Sequence, residues 1–103
     1  MKQPDVCLSL VAANEVGEMI SDVLLEQDDI VRRFGTHAID AHGSRVGFTS
    51  VSEHVRGRAQ RVKFELLMAN EDTPRILDAL RERLPSAEIT YWVTPLLAYG
   101  RLE

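Results

Sequence analysis

Residues Arg61–Met68 read RVKFELLM, and along this run Val62, Phe64, Leu66 and Met68 alternate with Arg61, Lys63, Glu65 and Leu67. A period of two is the signature of a β-strand with one face in a core and the other outside it. The run therefore predicts an interior strand whose polar side still carries one leucine, Leu67.

Working outward from it, Val6–Val11 alternates around Leu8 and Leu10 and predicts a first strand, closing at Ala12-Ala13. Asn14 stands where a side-chain oxygen can take a free N–H at the start of a helix. Val16, Met19, Ile20, Val23 and Leu24 then recur at helical spacing, giving one apolar stripe. Glu15 and Glu18 fall in the first turn, where the positive helix end favours them. The helix fades near Gln27, and Asp28-Asp29 and Phe34-Gly35 mark a connection to a second strand, Thr36–Ala41. His42-Gly43-Ser44 has turn chemistry. The following RVGFTSV, 45–51, either continues that strand or opens a loop. After Met68, Thr73 is placed to cap a second helix with Pro74 at its first position, where a missing N–H costs nothing. Ile76, Leu77, Leu80 and Leu84 form its stripe, and Pro85-Ser86 ends it. Glu88–Thr94 alternates again and predicts a last strand, stopped by Pro95. The tail LLAYGRLE is too apolar to be a loose end.

The order β-α-β-β-α-β is the ferredoxin-like split pattern. It predicts an α+β fold, a four-stranded antiparallel sheet with two helices on one face, in a single domain over residues 1–103. The other face carries Leu67, Trp92 and either Cys7 or Leu8, according to register. Such a patch on a small chain marks a contact surface, and covering Trp92 alone contributes about 2–3 kcal/mol. Leu67 and Trp92 are thus the predicted self-association residues.

The totals exclude several classes. With 103 residues, one cysteine (Cys7) and 45% hydrophobic composition, the chain suits one globular domain with no internal disulfide and no Cys-x-x-Cys motif. No apolar run approaches the ~20 residues of a membrane span, and MKQPDVCLSL lacks the basic start and apolar run of a signal peptide, which predicts a cytoplasmic protein with no direct membrane insertion. A net charge of −4 argues against general binding to phosphate backbones, so no nucleic acid is expected. No G-x-S-x-G, phosphate loop or H-E-x-x-H occurs, and the expectation is a non-enzymatic protein with no assignable cofactor.

Positive charge is nonetheless concentrated. SEHVRGRAQRVKF, 52–64, sets Arg56, Arg58, Arg61 and Lys63 against Glu53, a local +3. Gly57 between two arginines lets backbone approach a ligand, and guanidinium forks suit phosphate or carboxylate. Arg56, Gly57, Arg58 and Arg61 are the candidate anion-binding residues; a solvated loop is the alternative. VRGRAQRVKFE is similar to the acylphosphatase signature, but Glu65 stands where that signature needs its Arg, which reverses the electrostatics. The RRM stacking aromatics have no match in RVKFELLM. Of His37, His42 and His54, the first two point to opposite faces of a regular strand because their separation is odd. His42 and His54 are the candidates for a metal ion; hydrogen-bonded or solvated histidines are the alternative.

Together, the element order, the HGS turn, EHVRGRAQRVKF and ITYWVTPLLAYGRL resemble a small bacterial PII-like family of unknown function, most specifically in Glu53-x-Val55-x-Gly57-Arg58 and Tyr91-Trp92-x-Thr94-Pro95. The resemblance implies a homotrimer with inward-facing sheets and a small-molecule or metal effector at subunit clefts. It also implies a loop between the second and third strands that engages a partner such as a membrane transporter or efflux pump, since members are often encoded beside heavy-metal efflux systems. Where nitrogen-regulatory PII proteins carry a Gly-rich phosphate loop and a basic tail, this chain reads RERLPSAEI and YGRLE, so their ligand residues are not carried over. The resemblance implies a PII-like sensor; the alternative is a histidine-based metal-binding accessory protein for efflux.

Overall fold

The computed structural model describes residues 3–43 and 59–103. The strand-or-loop stretch 45–51, and the site candidates His54, Arg56, Gly57 and Arg58, lie outside the described residues. The elements run β1 Val6–Ala13, α1 Gly17–Glu26, β2 Phe34–Ala41, β3 Ala59–Met68, α2 Thr73–Arg83 and β4 Thr90–Pro95. The sheet order is β2-β3-β1-β4 with every neighbouring pair antiparallel, the α+β arrangement expected from the element order.

Register decides which side chains face the helices. Leu10 pairs with Phe64 and Leu8 with Leu66 across β1 and β3, while Leu8 pairs with Val93 and Leu10 with Tyr91 across β4. These positions share a face because side chains alternate. On it, Leu8, Leu10, Phe64, Leu66 and Met68 are buried together with Ile20, Val23 and Leu24 of α1 and Ile76 and Leu80 of α2. The two predicted stripes therefore close the core, with the exception of Met19, which is exposed. Cys7, Ser9 and Val11 fall on the opposite, open face, which settles the register that the sequence left between Cys7 and Leu8.

Boundaries differ from the sequence reading at both helix starts. Asn14 opens a 3₁₀ turn, Asn14–Val16, and makes no capping bond; α1 begins at Gly17. A Cβ on Gly17 would stand 3.3 Å from Val62 Cγ1, so the bare glycine lets this turn sit close on β3. A second 3₁₀ turn, Asn70–Asp72, precedes α2. Thr73, expected as the cap, is instead the first residue of α2, and its hydroxyl donates to the Asn70 carbonyl at 2.9 Å. Phe34-Gly35, expected as connection, begins β2, where the Phe34 ring lies 5.9 Å from that of Phe64. Aromatic contact to the core extends the edge strand by two residues. Gly43, just beyond β2, has φ of 128°, a conformation that side-chain-bearing residues rarely adopt; of the turn expected at His42-Gly43-Ser44, Ser44 lies outside the described residues. β4 starts at Thr90 and includes Pro95, which an edge strand accepts because it needs hydrogen bonds on one side only.

The tail is a correction. It has no regular structure, and Leu97 and Leu102 are fully exposed. It leaves β4 at the sheet edge, and one chain alone offers those leucines no cover. Among the described residues, no helix is long and apolar enough to cross a membrane.

Candidate functional site: a groove bordering the open sheet face

The open face is built by the odd positions of the two central strands. Glu65 lies opposite Ser9 and Gly35, Lys63 opposite Val11 and His37, and Leu67 opposite Cys7. Ser9 in turn pairs with Trp92 of β4. Ser9 is buried here although no helix covers this side. The side chains above it form a charged row. The Glu65 carboxylate stands 3.7 Å from His37 Nε2 and 3.7 Å from Lys63 Nζ, and that ammonium lies 5.3 Å from the Trp92 ring centre. A lysine over an indole is attracted by the negative ring face. Trp92 and Leu67 remain 41% and 46% exposed, so the two apolar residues singled out by pattern share one uncovered surface.

At one end of that surface lies a half-open groove of about 1370 Å³. Its floor is Cys7, Gly35, Glu65 and Leu67 from β1, β2 and β3. One wall is the connection from α1 to β2, with Asp29, Arg32 and Arg33. The other is the tail, with Tyr99 and Arg101; Asp72, ahead of α2, completes it. The first wall is held from outside. Arg75 of α2 donates through Nη1 and Nη2 to both Asp29 oxygens, at 2.7 and 3.0 Å, and through Nε to Gln27 Oε1 at 3.0 Å. One guanidinium thus clasps two residues some 46–48 positions away in sequence, in the forked geometry that makes Arg–carboxylate pairs strong. Arg83 also bonds Glu26, a second tie between the helices.

The Arg75 hydrogen bonds hold the Asp29 carboxyl below its ordinary value of 3.8. A depressed carboxylate contributes stability that is present above the unfolded-state value and disappears as pH falls through the folded-state value. The expected result is a melting-temperature difference between the wild type and Asp29→Asn that is steady from about pH 7 to about pH 5 and shrinks at more acid pH. Calorimetric melts over that range check it. A difference that stays constant into acid would mean that the clasp carries no charge-dependent stability.

Among the predicted site residues, Arg61 is at the far end of β3, about four residues or ~13 Å from Glu65 along the strand. It bonds the Gln60 carbonyl at 3.0 Å and is not part of the groove lining. His42 follows the end of β2 and is likewise apart from the groove, while His37 sits on the open face beside Glu65. Among the described residues, no group of three or more His, Cys, Asp or Glu could hold a metal ion. The sequence reading missed Arg32, Arg33 and Arg101. The available signal was the Arg-Arg pair in DDIVRRF, placed between a helix and an edge strand.

Known structures share this fold. A DUF3240 family protein from Shewanella baltica OS155 superposes with a TM-score of 0.78, at 24% identity over 99% of this chain and 100% of that one. CPII, a nitrogen regulatory PII-like protein from Thiomonas intermedia K12 solved with ADP, AMP and bicarbonate, gives 0.70 at 12% identity, over 96% and 97% of the two chains. A putative PII-like signalling protein from Thermus thermophilus gives 0.61 at 20%, over 91% and 88%. None of the curated proteins matches. The sheet order, the helix layer and these likenesses make the fold PII-like. The DUF3240 family profile, described as a protein of unknown function, matches residues 2–103, and by that match the chain belongs to the DUF3240 family.

Proposed function

We propose that this protein is a non-enzymatic, PII-like regulator that works as a homotrimer. It takes a small anionic effector in the groove and, when occupied, changes its affinity for a protein partner such as a membrane transporter. The observation that carries this reading is the sharing of side chains: Cys7, Glu65 and Leu67 belong both to the groove floor and to the open face. A second copy covering that face borders the groove, so occupancy and assembly are linked. A ligand shifts such an equilibrium only through unequal affinity for its states. The three arginines of the walls supply forked donors for an anion. CPII was solved with ADP, AMP and bicarbonate, all anions, which supports the same ligand class here.

The test is calorimetric titration with ADP, ATP and AMP, with Zn²⁺ and Cu²⁺ as the arms for the metal-accessory alternative. The expected result is heat from nucleotide, with affinity at least about tenfold weaker in Arg33→Ala, the loss of one charge-assisted anion contact. Heat from metal alone, abolished in His42→Ala, would replace this reading with the accessory-protein one. Silence from nucleotides would remove the effector groove.

A further inference from the structure

The groove lining carries three acids, Asp29, Glu65 and Asp72, and three arginines, Arg32, Arg33 and Arg101. Taken by itself that lining is balanced and has no preference for the sign of a ligand. Arg101 is offset by Glu103, which stands 3.2 Å from its Nε outside the lining, but two of the acids face cations that are likewise not part of the lining. Lys63 and His37 stand 3.7 Å from the Glu65 carboxylate. Arg75 engages both oxygens of Asp29. The Arg75 contact is the closer of the two arrangements, and it reaches the groove from the helix layer.

We propose that Arg75 sets the sign of the ligand this groove accepts: it acts through Asp29, cancelling that residue's charge so that Arg32 and Arg33 present a net positive wall. This inference rests on the effector groove proposed above and adds a residue outside it. Arg75 is a positioning and charge-compensating residue, since it does not line the groove. It is an exposed residue in the first turns of α2, next to Ile76, whose burial together with Leu80 fixes how the helix sits. The effect belongs to electrostatics and not to shape. An uncompensated carboxylate several ångströms from a bound anion repels it in any geometry, with a penalty that grows as water is excluded. α2 thereby becomes a place from which ligand choice is tuned without touching the ligand.

The consequence separates charge from scaffolding. Arg75→Gln frees the Asp29 charge, and ADP affinity falls about three- to tenfold, the effect of one like charge at groove distance. Adenosine, which has no phosphate, is bound as before. Asp29→Asn breaks the same ion pair but leaves the Arg75 cation where the acid was compensated, and ADP affinity stays level or rises. Arg75→Gln combined with Asp29→Asn removes both charges and restores ADP affinity to within about twofold of the wild type, a coupling between neighbours that a double-mutant cycle isolates. Melting curves of each variant accompany the titrations, and Asp29→Asn serves as the folded counterpart if Arg75→Gln proves unstable.

Failure has distinguishable forms. If the double variant is as weak for ADP as Arg75→Gln, the clasp acts by shape and the charge inference is wrong. Equal losses for ADP and adenosine would overturn it in the same way. If Arg33→Ala loses ADP while Arg75→Gln and Asp29→Asn leave it unchanged, the groove stands and Arg75 has no part in it. If the wild type takes up no ADP, the groove reading falls and this inference falls with it.

Discussion

Phe64→Ala is expected to lower the unfolding free energy by about 3–5 kcal/mol, the cost of emptying a buried aromatic site that cannot fully collapse. Phe64 is 1% exposed at the centre of β3. Its ring meets Phe34 at an interplanar angle of 44°, and its backbone pairs with Leu10 on one side and Thr36 on the other. Nothing nearby is free to fill the void, because β1 and β3 are the interior strands of the sheet. Domains of this size are stable by about 5–15 kcal/mol, so the loss removes a large part of the margin. Urea melts followed by far-ultraviolet circular dichroism measure it. Leu25→Ala is the control: that side chain is 65% exposed on α1, and its loss is expected to stay within about 0.5 kcal/mol. Similar midpoints for the two variants would show that the core does not depend on the β3 ring.

Leu67→Asp is expected to convert an assembled protein into a monomer while leaving the fold intact. Leu67 is half exposed in the isolated chain, so a carboxylate there remains solvated and the circular dichroism spectrum stays as it was. In an assembly closed over the open face, the same carboxylate is taken from water beside Cys7 and next to Glu65 in the row. Burying an unpaired charge costs several kcal/mol, and a few kcal/mol is already more than a hundredfold in an association constant. Sedimentation velocity at micromolar concentration distinguishes the outcomes. A wild type that runs as a monomer, or a variant that keeps the wild-type mass, would remove the open face as the contact surface.

The strands and helices were legible because two periods are written plainly in the sequence. Val62, Phe64, Leu66 and Met68 against Arg61, Lys63, Glu65 and Leu67 mark one face and the other of β3, and Ile20, Val23 and Leu24 mark the buried side of α1. Helix starts were less legible. Asn and Thr favour N-caps, yet Asn14 opens a 3₁₀ turn and Thr73 is already the first residue of α2, its hydroxyl bonded back to the 3₁₀ turn that precedes the helix. The second sheet face was legible as a set, through Trp92 and Leu67, once the alternation was assigned. The groove was not. Its lining comes from four separated stretches, near Cys7, 29–35, 65–72 and 99–101, and they meet because the sheet order sets β1 and β2 on either side of β3. A charge-rich segment such as 56–61 draws attention in a linear reading. A site assembled from single residues of distant segments leaves no local trace, and the Arg75 clasp depends on a contact spanning more than forty positions.

The sole tryptophan of this chain stands on the uncovered side of the sheet, under the Lys63 ammonium. The excited indole redistributes its electrons, and a nearby cation changes the energy of that redistribution. Emission excited at the red edge of the indole band, where Tyr91 and Tyr99 do not absorb, therefore reports on one place in the molecule, without a dye or an engineered label. Any event that moves the ammonium, or replaces water over the ring with protein, alters the colour of the emitted light. The protein carries its own optical gauge at the surface where assembly and ligand occupancy are proposed to meet.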